Sequence, residues 1–292
     1  MKKRIISGVV MGAIVALVLV LGLTISNVII TIFVAAIAAM AVWELTFNAL
    51  NVKWLPFQIV PMLYTAVTVW IVSRWFENAL RIQNFLFGEG SAIEIDSDKI
   101  FMPVVLGIIT VFYFLVMAVL SLIKQSELDL TKIFALSAMP LFLAYAFASL
   151  SSIITAANGI YYLLLVLNFS SVCDMGAYFV GVSMGKTKLC PEISPKKTVE
   201  GALGGIISSI VVSLVITLSF GHFNKILPVM LLTIPLCAAG MVGDLFASIV
   251  KRKVGIKDYG NLIPGHGGVL DRVDSILFIA PIVFCLVFLG AL

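Results

Sequence analysis

The sequence predicts an all-α polytopic integral membrane protein of about nine transmembrane helices, with the N-terminus cytoplasmic and the C-terminus outside. Three observations lead there. The 292 residues are 61% hydrophobic and only 12% charged, whereas a soluble domain carries about 25% charged residues. Apolar stretches long enough to cross ~30 Å of hydrocarbon, about 20 residues each, recur along the whole chain. The basic residues between them segregate to alternate connections, following the preference of Lys and Arg for the cytoplasmic side.

In order, the stretches are 5–23, 25–49, 55–76, 101–123, 132–151, 159–184, 202–220, 226–250 and 275–291. The first follows Met1-Lys2-Lys3-Arg4 and stays apolar to about Thr24. That exceeds the roughly 7–15 apolar residues of a cleaved signal, so it reads as a retained span. Near the end of the second lies Glu44, read as a lone acid that snorkels or pairs helices. "SLSSIITAANG", Ser149 to Gly159, divides the fifth stretch from the sixth as a turn, one longer helix being the alternative.

With the N-terminus inside, the inner connections collect Lys2, Lys3, Arg4, Lys53, Lys124, Lys132, Lys186, Lys188, Lys196, Lys197, Lys251, Arg252, Lys253, Lys257 and Arg272, 15 of the 19 basic residues. Arg74, Arg81, Lys99 and Lys225 remain outside. The one sizeable outer loop, about 77–100, holds Glu77, Glu89, Glu94, Asp96 and Asp98. One span more or fewer would scramble this segregation.

There is no internal repeat and no soluble domain. By role, residues 1–130 read as N-terminal membrane helices, a scaffold with access for lipid. Residues 131–292 read as catalytic membrane helices with cytoplasmic loops 185–201 and 251–274. Cys173, Cys190, Cys237 and Cys285 occur singly, with no C-x-x-C, so neither a disulfide framework nor a zinc site is expected. The net charge of +4 sits at the inner membrane face and does not mark a nucleic-acid binder.

Ionisable residues within hydrocarbon are costly and usually face a cavity or one another. Asp174 and Asp244 each lie roughly 10–15 Å from the cytoplasmic end of their spans, at 1.5 Å per residue. Asp271 and Asp274 open the ninth stretch from the same side, and their i, i+3 spacing puts both on one helix face. Four carboxylates gathered in a poorly hydrated site repel unless protonated or neutralised by cations. Hard oxygen ligands suit Mg²⁺, which normally shares its sphere with water and substrate phosphates. A second cation, divalent or K⁺, is left open. The structural alternative makes Asp174 and Asp244 helix-pairing residues or proton carriers.

The adjoining loops carry the opposite charge. Pro264-Gly265-His266-Gly267-Gly268 lets backbone N–H groups approach anionic oxygens, and Lys196-Lys197-Thr198 precedes a helix N-terminus that favours phosphate. The lysines here also serve topology or anionic lipid, the expected role of Lys186, Lys188 and Lys253. Acids for a metal beside bases and glycines for phosphates describe phosphoryl or nucleotidyl transfer to a lipid. No G-x-x-x-x-G-K-[ST] loop is present, so a P-loop nucleotide site is excluded.

Ser248, Lys251-Arg252, Lys257-Asp258, Gly260, Ile263-Pro264, His266-Gly267-Gly268 and Asp271-Arg272-x-Asp274 match, without a gap, the signature of the phosphatidate cytidylyltransferase (CDP-diacylglycerol synthase) family, which the chain closely resembles. A second segment fits as well: Asp174, Ala177-Tyr178-Phe179, Gly181, Gly185-Lys186, Lys188-Leu189, Pro191 and Ser194-Pro195-Lys196-Lys197-Thr198. Val182 and Met175 depart from the family pattern. The likeness is strong over about 170–275 and generic before that.

The resemblance implies transfer of CMP from CTP to phosphatidate, giving CDP-diacylglycerol and pyrophosphate for phospholipid biosynthesis. The site would face the cytoplasm in a multi-pass protein of the cell's inner membrane. Asp244 and Asp271 would hold the metal, with Asp274 and Asp174 coordinating or supporting them. Lys197, Lys257, His266 and Arg272 would hold phosphates. Ser194, Lys196, Thr198, Lys251, Arg252, Gly267 and Gly268 would complete the substrate contacts. A homodimer enters only through the resemblance. Two rivals remain: a CTP-dependent polyprenol kinase, against which the intact signature argues, and an ion-coupled transporter, which needs no basic glycine-rich loop and would show matched broken helices.

Overall fold

The computed structural model describes residues 2–86, 97–124, 128–263, 265 and 267–292. Without water in the bilayer core each spanning segment must satisfy its own backbone N–H and C=O groups, and the chain is accordingly a succession of helices. They are α1 (Lys2–Thr24), α2 (Asn27–Trp43), α3 (Pro56–Leu86), α4 (Ser97–Ile123), α5 (Leu130–Thr155), α6 (Gly159–Leu167), α7 (Cys173–Met184), α8 (Val199–Ser219), α9 (Ile226–Lys253) and α10 (Leu270–Phe288). A π turn, Glu44–Ala49, continues α2, and a second, Asn168–Val172, joins α6 to α7 into one rod.

Among the described residues, eight helical segments are long and apolar enough to cross a membrane. α10 is the ninth in order and has 19 residues, but three charges, Asp271, Arg272 and Asp274, open it. The predicted stretches thus each appear as a helical rod, and the chain is a multi-pass membrane protein. Ser149–Gly159 does contain a break: α5 ends at Thr155 and α6 begins at Gly159. The all-helical expectation needs one addition. Strands β1 (Lys188–Cys190) and β2 (Ser194–Thr198) form an antiparallel hairpin, where Pro191 and Pro195 bar a helix from continuing.

The chain forms two compact units. The first contains Met1–Ala156 and Asp258–Arg272. Its core joins Leu50, Val52, Phe57, Tyr64, Tyr113, Met117, Leu136 and Ala144. Tyr64 and Tyr113 stack with ring centres 4.1 Å apart, and the Tyr113 hydroxyl donates to the Leu136 carbonyl at 2.6 Å, so the buried phenol is satisfied. α1 exposes Val9, Val10, Ile14, Leu17, Val20 and Leu23, as a lipid-facing helix does.

The second unit contains Ala157–Lys257 and Val273–Leu292. α8 buries Gly201, Gly205, Ser209, Ser213 and Thr217, a four-residue spacing of small side chains that lets membrane helices approach closely. A Cβ on Gly205 would stand 2.5 Å from the Cys173 carbonyl oxygen of α7. Asn168 in the π turn donates to Ser209 O at 3.0 Å and to Ser213 Oγ at 2.8 Å, and Ser213 Oγ lies 3.0 Å from Thr233 Oγ1 of α9.

Candidate active site

In the second unit the site begins with the close packing of α7 on α8. Asp174 occupies the first turn of α7. Thr198, last residue of the hairpin, is the N-cap of α8: its backbone is extended and its Oγ1 accepts from Gly201 N at 3.1 Å. The same helix start is tied to the other end of the loop by Glu200, whose carboxylate accepts from Lys186 N and Thr187 N at 3.1 Å. This fixes the residue before the cap. Lys197 Nζ lies 2.5 Å from Asp244 Oδ2 on α9 and within electrostatic reach of Asp174. The ammonium is buried and forms no regular hydrogen bond among the described residues. One cation therefore stands where two carboxylates converge.

α9 and α10 meet at Gly243, where a Cβ would come 2.8 Å from the Phe278 ring and 3.1 Å from the Asp274 carbonyl oxygen. Asp244 and Asp274 thereby share a level of that crossing. Lys251 Nζ, two turns further along α9, lies 3.7 Å from Asp274 Oδ2.

In the first unit, Asp271 organises the signature loop from inside. Its Oδ2 accepts from Tyr259 N at 2.7 Å and from Gly268 N at 3.0 Å. Gly265 and Gly267 have φ of 78° and 85°, a conformation that glycine adopts at no steric cost, and Ile263 N donates to Gly267 O at 3.0 Å. One carboxylate thus ties the stretch at Tyr259 to the stretch at Gly268, and the Gly268 N–H is committed to it.

Glu44 does not snorkel. It is fully buried and its two oxygens accept from Val269 N and Leu270 N, both at 2.9 Å. Gly260 and Gly268 border the same carboxylate: a Cβ on either would stand 2.5 Å from a Glu44 oxygen. Asn48, in the same π turn, donates from Nδ2 to Tyr259 O at 2.8 Å. Sequence reasoning missed this residue because its partners are backbone amides of a distant segment. The available signal was an acid within an apolar stretch that lacked a basic partner nearby.

The sequence-predicted residues thus fall into groups. Asp174, Asp244 and Lys197 come together, as do Lys251 and Asp274, while Asp271 joins the loop backbone with Gly268. Lys196, Arg252, Lys257 and Arg272 are exposed, and Ser194 is half-buried at the start of β2. Pro264 and His266 of the signature, and Glu89, Glu94 and Asp96 of the outer loop, lie outside the described residues.

Among the described residues no three His, Cys, Asp or Glu side chains gather as a metal cluster. Mg²⁺ commonly takes only one or two carboxylates and fills its octahedron with water and substrate phosphate. The hard oxygens of Asp174 and Asp244 fit that ion in kind and number.

The model of the cytidylyltransferase family matches residues 2–289. A phosphatidate cytidylyltransferase of Staphylococcus haemolyticus is 46% identical over 129 residues, 44% of this chain and 49% of the relative. One from Bacillus subtilis is 49% identical over 113 residues, 39% of this chain and 42% of the relative. One from Staphylococcus aureus is 44% identical over 129 residues, 44% and 49% of the two chains. The chain thus spans about half the length of the curated relatives it matches, whereas the family model runs through nearly every helix. The chain belongs to the cytidylyltransferase family.

Proposed function

We propose that the protein is a phosphatidate cytidylyltransferase, transferring CMP from CTP to phosphatidate with release of pyrophosphate, in phospholipid biosynthesis. The observation that carries this reading is the buried Lys197 ammonium set against Asp244 and Asp174 at the capped start of α8. It joins charge for phosphate to oxygens for a metal within a chain otherwise built for lipid. The names of the relatives supply the cytidylyl group and the lipid acceptor.

The phosphatidate phosphate is an anion at neutral pH, so its oxygen attacks the α-phosphorus of CTP without a strong base. A P–O bond forms to the lipid, and the bond from the α-phosphorus to the bridging oxygen breaks, its electrons leaving with pyrophosphate. The protein's task is to align two repelling anions and neutralise the leaving group. For the phosphates the resemblance names Lys197, Lys257 and Arg272 as cations, with Lys196, Lys251, Arg252 and the Ser194 hydroxyl as further contacts. Asp244 and Asp174 would hold Mg²⁺, with Asp274 alongside. The ion supplies charge stabilisation for the phosphoryl oxygens. Asp271, whose Oδ2 already receives two N–H groups, acts first by shaping the loop.

The Lys and Arg distribution supports an N-terminus in the cytoplasm, a C-terminus outside and a site opening to the cytoplasm; the cell's inner membrane rests on the resemblance. Residues 1–130 then act as scaffold and lipid access, and 131–292 as the catalytic part. The homodimer and a second cation rest on resemblance and are tested by mass in detergent and by K⁺ omission. The deciding experiment follows radiolabel from CTP into lipid in the presence of phosphatidate and Mg²⁺, with pyrophosphate released in equal amount. A phosphorylated polyprenol without pyrophosphate, or no CTP consumption at all, would replace this reading with a rival.

A further inference from the structure

We infer that Glu44, with Asn48 beside it in the π turn, is a positioning residue. It clamps the signature loop onto the end of α2 and so sets the geometry in which the loop receives nucleotide phosphates. What the loop receives rests on the function proposed above; the clamp itself rests on the contacts alone.

An acid buried in a membrane helix is costly unless its oxygens are matched. Glu44 spends both of its oxygens on one target, the N–H groups of Val269 and Leu270 at 2.9 Å. These are donors that a helix start leaves unsatisfied, yet an adjacent Ser or Asp cap would serve them. The partner instead comes from 226 residues away. Three further observations make this a clamp for the loop rather than a cap for the helix. Asn48 holds the other described stretch of the loop through Tyr259 O at 2.8 Å. Gly260 and Gly268 leave the space that the carboxylate fills, so the glycines and the acid form one requirement. Asp271 ties Tyr259 N to Gly268 N, so the two stretches that Asn48 and Glu44 hold are joined to each other. The π turn also has a role here. Glu44 and Asn48 both lie in it, and such turns recur at functional places.

The test uses the full-length protein in detergent or nanodiscs. Glu44→Gln keeps the shape but turns an acceptor into an NH₂ that faces a backbone N–H, leaving a buried donor unpaired. Amide exchange in 258–272 is expected to quicken by roughly ten- to hundredfold, as loss of a buried partner implies, while α1–α5 exchange as before. With CTP and phosphatidate, KM for CTP is expected to rise about tenfold or more, with kcat falling less, because the loop is displaced and not removed. Glu44→Asp, which retains both acceptors, should recover most of the loss. Gly260→Ala approaches the same carboxylate from the loop side and should quicken the same segment, which covers the case of a poorly folding Gln variant. Unchanged exchange in 258–272, exchange raised throughout the first unit, or an Asp variant no better than Gln overturns the clamp. A wild-type protein without cytidylyl transfer would sink the proposed function and leave the exchange result to decide the clamp by itself.

Discussion

Asp244 and Asp271, 27 positions apart in the sequence, face different tasks at the scale of single residues. Asp244 pairs with an ammonium at 2.5 Å, and a metal bound there would compete with or rearrange that pair. Asp271 accepts two backbone N–H groups, an arrangement that shapes a loop. Asp244→Asn is therefore expected to lower turnover by on the order of 10³-fold, as loss of a member of a catalytic unit does, and to abolish the Mg²⁺ saturation response. Asp271→Asn should keep a normal Mg²⁺ midpoint at reduced turnover and loosen the loop in amide exchange. Turnover against Mg²⁺ concentration for both variants and for the double variant checks this. Identical flat titrations, with a double variant scarcely worse than either single, would mean that both carboxylates hold one metal after all.

Helices α7 and α8 carry the site only while they touch. With lipid outside and no hydrophobic force to press helices together, contact depends on small residues and hydrogen bonds, which Gly201, Gly205, Ser209 and Ser213 provide on one face. Gly205→Val would drive a branched side chain into the Cys173 carbonyl, which a Cβ alone would approach to 2.5 Å. Neither partner is a flexible tip, so the helices must part, and a loss of roughly 1–3 kcal/mol is expected from such overpacking. The melting temperature in detergent should fall by several degrees, and Asp174 should lose its place opposite Lys197. The same substitution at Gly12, where a Cβ would meet nothing within 4 Å beyond its own helix, should leave the melting temperature within error.

Over the whole molecule, the alternation of basic connections predicts that single cysteines near Lys196 and near Gly260, at the exposed Asn261, in an otherwise Cys-free protein, react with an impermeant reagent only from the cytoplasmic side. Labelling of intact cells from outside would require one span more or fewer. The number of helical rods and the break before Gly159 were legible in the sequence because hydrocarbon thickness and turn residues act locally. The convergence of Asp174 with Asp244 was partly legible, since equal depth along two helices can be counted. That Lys197 stands between them depends on the hairpin, which 185–201 does not announce, its two short strands being defined by pairing and not by pattern. Glu44 was the least legible, because a carboxylate that binds amides leaves no complementary letter elsewhere in the chain.

That last bond has a consequence for biosynthesis. Leu270 follows Glu44 by 226 residues, and at about 5–20 residues per second the ribosome needs roughly 10–45 s to supply it. Through that interval a nascent chain carries an acid in the bilayer with its final partners still unmade. Chains that stop short of the loop leave that acid unmatched, at the cost such a group carries in hydrocarbon. Completed chains conceal it. The contact that steadies a loop in the mature protein therefore also separates finished molecules from unfinished ones.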